Sequence, residues 1–139
     1  MLSYSIFVSA CIYFSYQDIM YGEIARIHLW VAIIATLCVK EPIAVWENFG
    51  GAALGILLFS LAYYISKKRL GLADIWFSGF IGAFLGIIKW YAAVSIASML
   101  ALIFFICSRN EKKIIPFIPF LSIGACTTDL ITLLCSLDR

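Results

Sequence analysis

The sequence predicts an all-α, polytopic membrane protein of about six transmembrane helices, on three observations. Of its 139 residues, 64% are apolar and only 13% are charged, about half the charged share of a typical soluble domain. The mean hydropathy is +1.04. The apolar residues fall in long runs separated by short charged breaks. A soluble domain of this size leaves most residues touching water and cannot hide so much apolar surface. A soluble enzyme, a nucleic-acid-binding module and a disordered tail are therefore poor descriptions of this chain. At about 20 residues per span, helices account for nearly the whole length. A single membrane-embedded domain, 1–139, is expected, with no separate soluble domain.

Six spans are predicted, at 2–17, 27–40, 47–66, 74–89, 90–107 and 117–136. Met1 to Ser15 has no basic n-region and no small-residue cleavage site, so it reads as a retained first span. Asp18, Glu23 and Arg26 lie in the break before span two. Span two is short for a bilayer, so it is expected to tilt, to extend past Pro42 or to thin the membrane locally. Lys40, Glu41, Pro42 and Glu47 separate it from span three, and Lys67-Lys68-Arg69 with Asp74 separate three from four. Spans three and four carry the G-x-x-x-G runs Gly51–Gly55 and Gly82–Gly86, whose spacing lets helix backbones approach closely in lipid. Lys89 marks a tight turn before span five, and Arg109, Glu111, Lys112 and Lys113 precede span six.

The loops after spans one, three and five carry seven Lys and Arg, and the opposite face carries three. The positive-inside rule places the first face in the cytoplasm and both termini outside. Lys67-Lys68-Arg69 thus reads as an orientation signal, with attraction to an anionic leaflet as a second role. Trp30, Trp46, Trp76 and Trp90 fall near span ends, as in an aromatic belt. Cys11, Cys38, Cys107, Cys126 and Cys135 form no C-x-x-C pair. Zinc and thioredoxin-type sites fail on spacing, which leaves inert thiols and no metal site. Ten scattered Lys and Arg make no nucleic-acid footprint.

Three acids need explaining, because a carboxylate at membrane depth is costly. Asp18 ends span one and Asp74 begins span four, on the same face and at the same depth. If those spans pack together, the two carboxylates can meet, and a close pair does not readily ionise twice. The charged one can take a proton from water as that water attacks a peptide carbonyl, while the protonated one donates to the carbonyl oxygen. Solvation at a span boundary and capping of a helix N-terminus explain the same residues without chemistry. Asp129, inside span six, reads as a polar side chain bonded by Thr127, Thr128 or Thr132, or as a third functional acid. Glu23 is an auxiliary candidate near Asp18, and His28 reads as an interfacial side chain. A different class, a small proton- or cation-coupled transporter, would use Asp129, although the two halves show no internal repeat.

Gly71-Leu72-Ala73-Asp74 is followed four residues later by the small-residue stretch Ser78–Gly86. This resembles the G-x-G-D motif of the type IV prepilin peptidases and the helix that the motif opens. Asp18, in Tyr16-Gln17-Asp18-Ile19, is similar to that family's other catalytic aspartate. Pro116-Phe117-Ile118-Pro119-Phe120, running on to Ala125, resembles its Pro-x-x-Pro-Phe segment. The three stretches stand in matching order and cover nearly the whole chain.

The resemblance implies an intramembrane aspartic endopeptidase of a bacterial or archaeal inner membrane. It would remove the leader of prepilin or pseudopilin substrates at the cytoplasmic face. Asp18 and Asp74 would be catalytic, and Gly71 and Ala73 would shape the turn that places Asp74. The chain departs from the family pattern at four places. Ala73 stands where the family usually has Gly, Trp76 where it often has Lys, Met20 where it has Arg, and Ile24-Ala25-Arg26 for Ile-Pro-Asn. These fit a divergent member or a catalytically degenerate one. The loop after span one lacks the cysteine-bearing insertion of methylating relatives, so no S-adenosylmethionine or other cofactor is expected.

Overall fold

A computed structural model describes residues 2–21, 26–39, 45–65, 71–107 and 117–137. They form five helices: α1 Leu2–Tyr21, α2 Arg26–Val39, α3 Val45–Ile65, α4 Leu72–Cys107 and α5 Ile118–Leu137. No strand occurs among the described residues. Three helices contain stretches long and apolar enough to cross a membrane: Trp46–Ile65, Leu72–Cys107 and Ile118–Cys135. At 14 residues, α2 rises only about 21 Å, short of a bilayer's hydrocarbon thickness. Ile12, Ile34, Leu57, Ile88, Phe104 and Leu134 are all exposed. Apolar exposure spread over every helix is what lipid-facing surfaces present, and water would not tolerate it.

Two expectations lie outside the described residues: the extension past Pro42 and the loop basic clusters Lys67-Lys68-Arg69 and Arg109 to Lys113. A third is corrected, because α1 continues to Tyr21. Asp18 therefore sits within the last turns of a helix rather than at its end.

The chain divides into two compact units, Met1–Gly22 with Tyr91–Arg139, and Glu23–Trp90. In the first, α1 packs on α5. Phe7, Cys11 and Phe14 are buried at helical spacing on α1, and Ile118, Leu121 and Ala125 on α5. Gly124 lies directly on the backbone of Ala93 and Ala97, and a Cβ there would strike the Ala93 carbonyl. Small residues on both sides let these backbones touch, the arrangement that helix association in lipid exploits.

In the second unit, the first G-x-x-x-G run does what its spacing suggests. Gly51 and Gly82 meet backbone to backbone, and a Cβ on Gly55 would stand 2.8 Å from the Ser78 carbonyl oxygen. Gly86, the last residue of the other run, has a different task. Its backbone is non-helical, with φ 76° and ψ 176°, a combination open essentially to glycine alone. Trp90 Nε1 donates to Ser78 Oγ at 3.1 Å. Along a straight helix those residues would be separated by about 18 Å of rise, beyond the reach of their side chains. The chain therefore turns back between Ser78 and Trp90, and Gly86 supplies the break.

The turn expected at Lys89 is thus three residues earlier. Lys89 was a plausible marker because it is charged, but the conformation demands a residue without Cβ. The single helix of 36 residues would otherwise measure about 54 Å, far longer than a bilayer needs. Trp90 is also corrected. It is fully buried beside Ser78, not part of an interfacial belt. Gly86→Ala should destabilise the protein by about 1–3 kcal/mol, read as a lower unfolding midpoint of the detergent-solubilised protein.

Candidate active site

Asp74 is the third residue of α4 and is buried. Gly71, just before the helix, donates its backbone N–H to Asp74 Oδ2 at 3.2 Å, and Gly71 O accepts the Asp74 N–H at 3.2 Å. This is the carboxylate half of a capping box, in which the third helical residue reaches back to the residue before the helix. The capping reading of Asp74 is therefore correct as far as it goes. The same bond fixes where the acid's other oxygen is presented. A Cβ on Gly71 would stand 3.2 Å from Asp74 Oδ2, so a side chain there crowds the carboxylate.

Ala73 is the second residue of α4 and lies in its regular helical part. No left-handed conformation is required there, so the methyl group strains nothing in the turn. Trp76, one turn below the start of α4, stacks on Trp30 of α2 with ring centroids 4.5 Å apart. The departure from the family at this position is thus a packing contact within the second unit.

Asp18 belongs to the first unit, near the end of α1. The backbone amide of Ile118, the first residue of α5, lies beside its carboxylate. The side chain is half-buried, and Oδ2 has no hydrogen-bond partner among the described residues. Both candidate acids are therefore held at helix N-termini, where unpaired N–H groups and the helix dipole favour a carboxylate. Asp74 serves the N-terminus of its own helix, and Asp18 that of a neighbour.

The contact of α1 with α5 contains a polar seam that sequence reading missed. Ser15 Oγ and Ser122 Oγ are 2.8 Å apart, and Ser122 Oγ also donates to the Ile118 carbonyl at 2.9 Å. One turn further on, the thiols of Cys11 and Cys126 lie near each other. Beyond them the Tyr4 side chain faces Cys126 and Asp129. Positions 11, 15 and 18 on α1 meet 126, 122 and 118 on α5, an antiparallel register advancing about one turn per contact. In lipid, such single polar side chains act as glue between helices.

Asp129 lies on this seam and is half-buried. Thr127, Thr128 and Thr132 each donate to backbone carbonyls of α5 one turn back. His28 is exposed on α2, in keeping with an interfacial side chain. Glu23 lies outside the described residues. Among the described residues no group of His, Cys, Asp and Glu could hold a metal ion.

The sequence pattern of the type IV leader peptidase family matches residues 5–106, a stretch that includes Asp18 and Asp74. A type 4 prepilin-like proteins leader peptide-processing enzyme from Escherichia coli O78:H11 is 26% identical over 105 residues. The match spans 72% of this chain and 39% of that protein. A prepilin leader peptidase/N-methyltransferase from Haemophilus influenzae is 27% identical over 84 residues, 57% of this chain and 36% of that protein. The chain thus spans under two fifths of the length of these relatives. No solved structure matches. With the family pattern extending over most of its length and through both aspartates, the chain belongs to the type IV leader peptidase family.

Proposed function

We propose that the chain is an intramembrane aspartic endopeptidase that removes the leader of a prepilin or pseudopilin substrate at the cytoplasmic membrane face. The observation that carries this reading is Asp74, buried at the start of α4 with one oxygen held by the Gly71 N–H. Asp18 supports it as a second half-buried acid at a helix N-terminus, with an oxygen left for chemistry. In this reading both units form one membrane-embedded domain of about six spans, and the break at Gly86 separates spans four and five. The positive-inside count favours the cytoplasm for the loops that follow α1 and precede α4, the helix ends that carry the two acids.

The proposed reaction needs only the two acids and water. The ionised aspartate takes a proton from water as the water oxygen bonds to the scissile carbonyl carbon. The protonated aspartate gives its proton to the carbonyl oxygen. The resulting diol collapses, the C–N bond breaks, and the amine leaves with a proton returned by an aspartate. The products are a leader ending in a carboxyl group and a substrate with a new N-terminus. Either aspartate can fill either role in a dyad that shares one proton.

Co-expression with a pilin-like precursor tagged on its leader tests this reading. The expected result is a shortened product whose new N-terminus maps between the leader and the hydrophobic helix. A precursor that stays full length beside well-expressed protein contradicts it. Two substitutions refine the geometry in the same assay. Gly71→Ala should slow cleavage about tenfold, because its methyl group displaces the Asp74 carboxylate. Ala73→Gly should stay within about twofold of the unsubstituted protein, because position 73 is helical with either residue.

A further inference from the structure

Asp18 is anchored through a closed ring of contacts between α1 and α5. Ser122 Oγ donates its proton to the Ile118 carbonyl at 2.9 Å. A hydroxyl has one proton to give, so the 2.8 Å contact between Ser15 and Ser122 has Ser15 as its donor. The Ile118 backbone amide in turn lies beside the Asp18 carboxylate. Ser15 and Asp18 are three residues apart on α1, and Ile118 and Ser122 four apart on α5, so each pair lies on one helix face. The ring runs from Ser15 to Ser122, to Ile118, to Asp18 and back along α1.

Residue 119 is proline, which has no N–H to offer. The Leu121 N–H is bonded to the Phe117 carbonyl. In this first turn of α5 the Ile118 amide is therefore the one beside Asp18. A slide of α5 along α1, or a rotation of either helix, would carry it off the carboxylate. The Ser15–Ser122 contact opposes both motions one turn away.

We propose that Ser15 and Ser122 are positioning residues for Asp18. Their hydrogen bond fixes the register of α1 on α5, so that the Asp18 carboxylate keeps its place beside the Ile118 amide, with Oδ2 buried and unpartnered among the described residues. This rests on the catalytic reading of Asp18 given above. The serines touch no reacting atom, and their effect is on catalytic geometry rather than on substrate affinity.

The test measures kcat and KM of the purified full chain on a tagged pilin precursor. Ser15→Ala and Ser122→Ala should each lower kcat about tenfold with KM within about twofold. The double variant should be no slower than the slower single one, because the Ser15–Ser122 contact is already lost in each single variant. Ser122→Thr keeps the hydroxyl and should restore kcat to within about threefold. Alanine variants with unchanged kcat overturn the proposal. So do losses that multiply in the double variant, or a threonine variant as slow as alanine at equal protein amount. Asp18→Asn, run alongside, separates the two claims. Full activity of Asp18→Asn sinks the catalytic reading, whereas its loss beside unaffected serine variants sinks only the positioning role.

Discussion

Asp74→Asn should lower leader cleavage by about 10³-fold or more while leaving the protein folded. The asparagine side chain has the shape of aspartate and still offers an oxygen to the Gly71 N–H, now 3.2 Å from Asp74 Oδ2. The cap at the start of α4 is thereby kept to within the cost of replacing a charged acceptor by a neutral one, about 1 kcal/mol. An amide cannot take a proton from water, and it cannot share one with a second acid. The variant thus divides the two explanations of this residue. If Asp74 only caps its helix, cleavage survives. If it is half of a dyad, cleavage is lost at unchanged membrane abundance and nearly unchanged unfolding midpoint. Asp18→Asn should behave in the same way, and the double variant should be no worse than either, because groups that act as a unit fail together.

Gly82→Leu should prevent stable assembly of the second unit. A Cβ at Gly82 lands on the Gly51 carbonyl, and one at Gly51 lands on that of Gly82. The obstacle is backbone on both sides, so no side-chain rotation relieves it and α3 must move away from α4. Overpacking of a well-packed contact costs about 1–3 kcal/mol when side chains give way, and here the main chain must. The retreat would also open the neighbouring contact of Gly55 with the Ser78 carbonyl, at 2.8 Å from a Cβ. Even Gly82→Ala should lower the unfolding midpoint in detergent, and Gly82→Leu should reach the membrane poorly. A Gly82→Leu protein of normal abundance and midpoint would mean that the two helices do not cross at this point.

The helices were legible in the sequence because lipid imposes one strong rule, long apolar runs between charged breaks. Details that depend on partners were not. Gly86 reads as a packing glycine, since it closes a G-x-x-x-G run, yet its positive φ makes it the break in α4. Lys89 drew attention as the only charge nearby, although the turn needs conformational freedom rather than polarity. At the site, Asp74 is legible both as a cap and as a candidate acid, and its carboxylate makes the capping contact with Gly71. The α1–α5 seam stayed hidden because Cys11, Ser15, Ser122 and Cys126 are isolated in apolar runs. Each looks inert until the two helices are known to pair antiparallel.

The central proposal is that Asp18 and Asp74 act together in one reaction, and cross-linking tests it most directly. Cysteines are placed at positions 18 and 74 in a background with the five native cysteines replaced. A short bifunctional thiol reagent is applied in intact membranes, and linked peptides are identified by mass spectrometry. The account predicts an efficient link between positions 18 and 74, and none when position 74 is paired with a cysteine at exposed Ile6. Contradiction would be two cysteines that each react with a monofunctional reagent yet yield no linked peptide, while the protein with both aspartates still cuts its precursor.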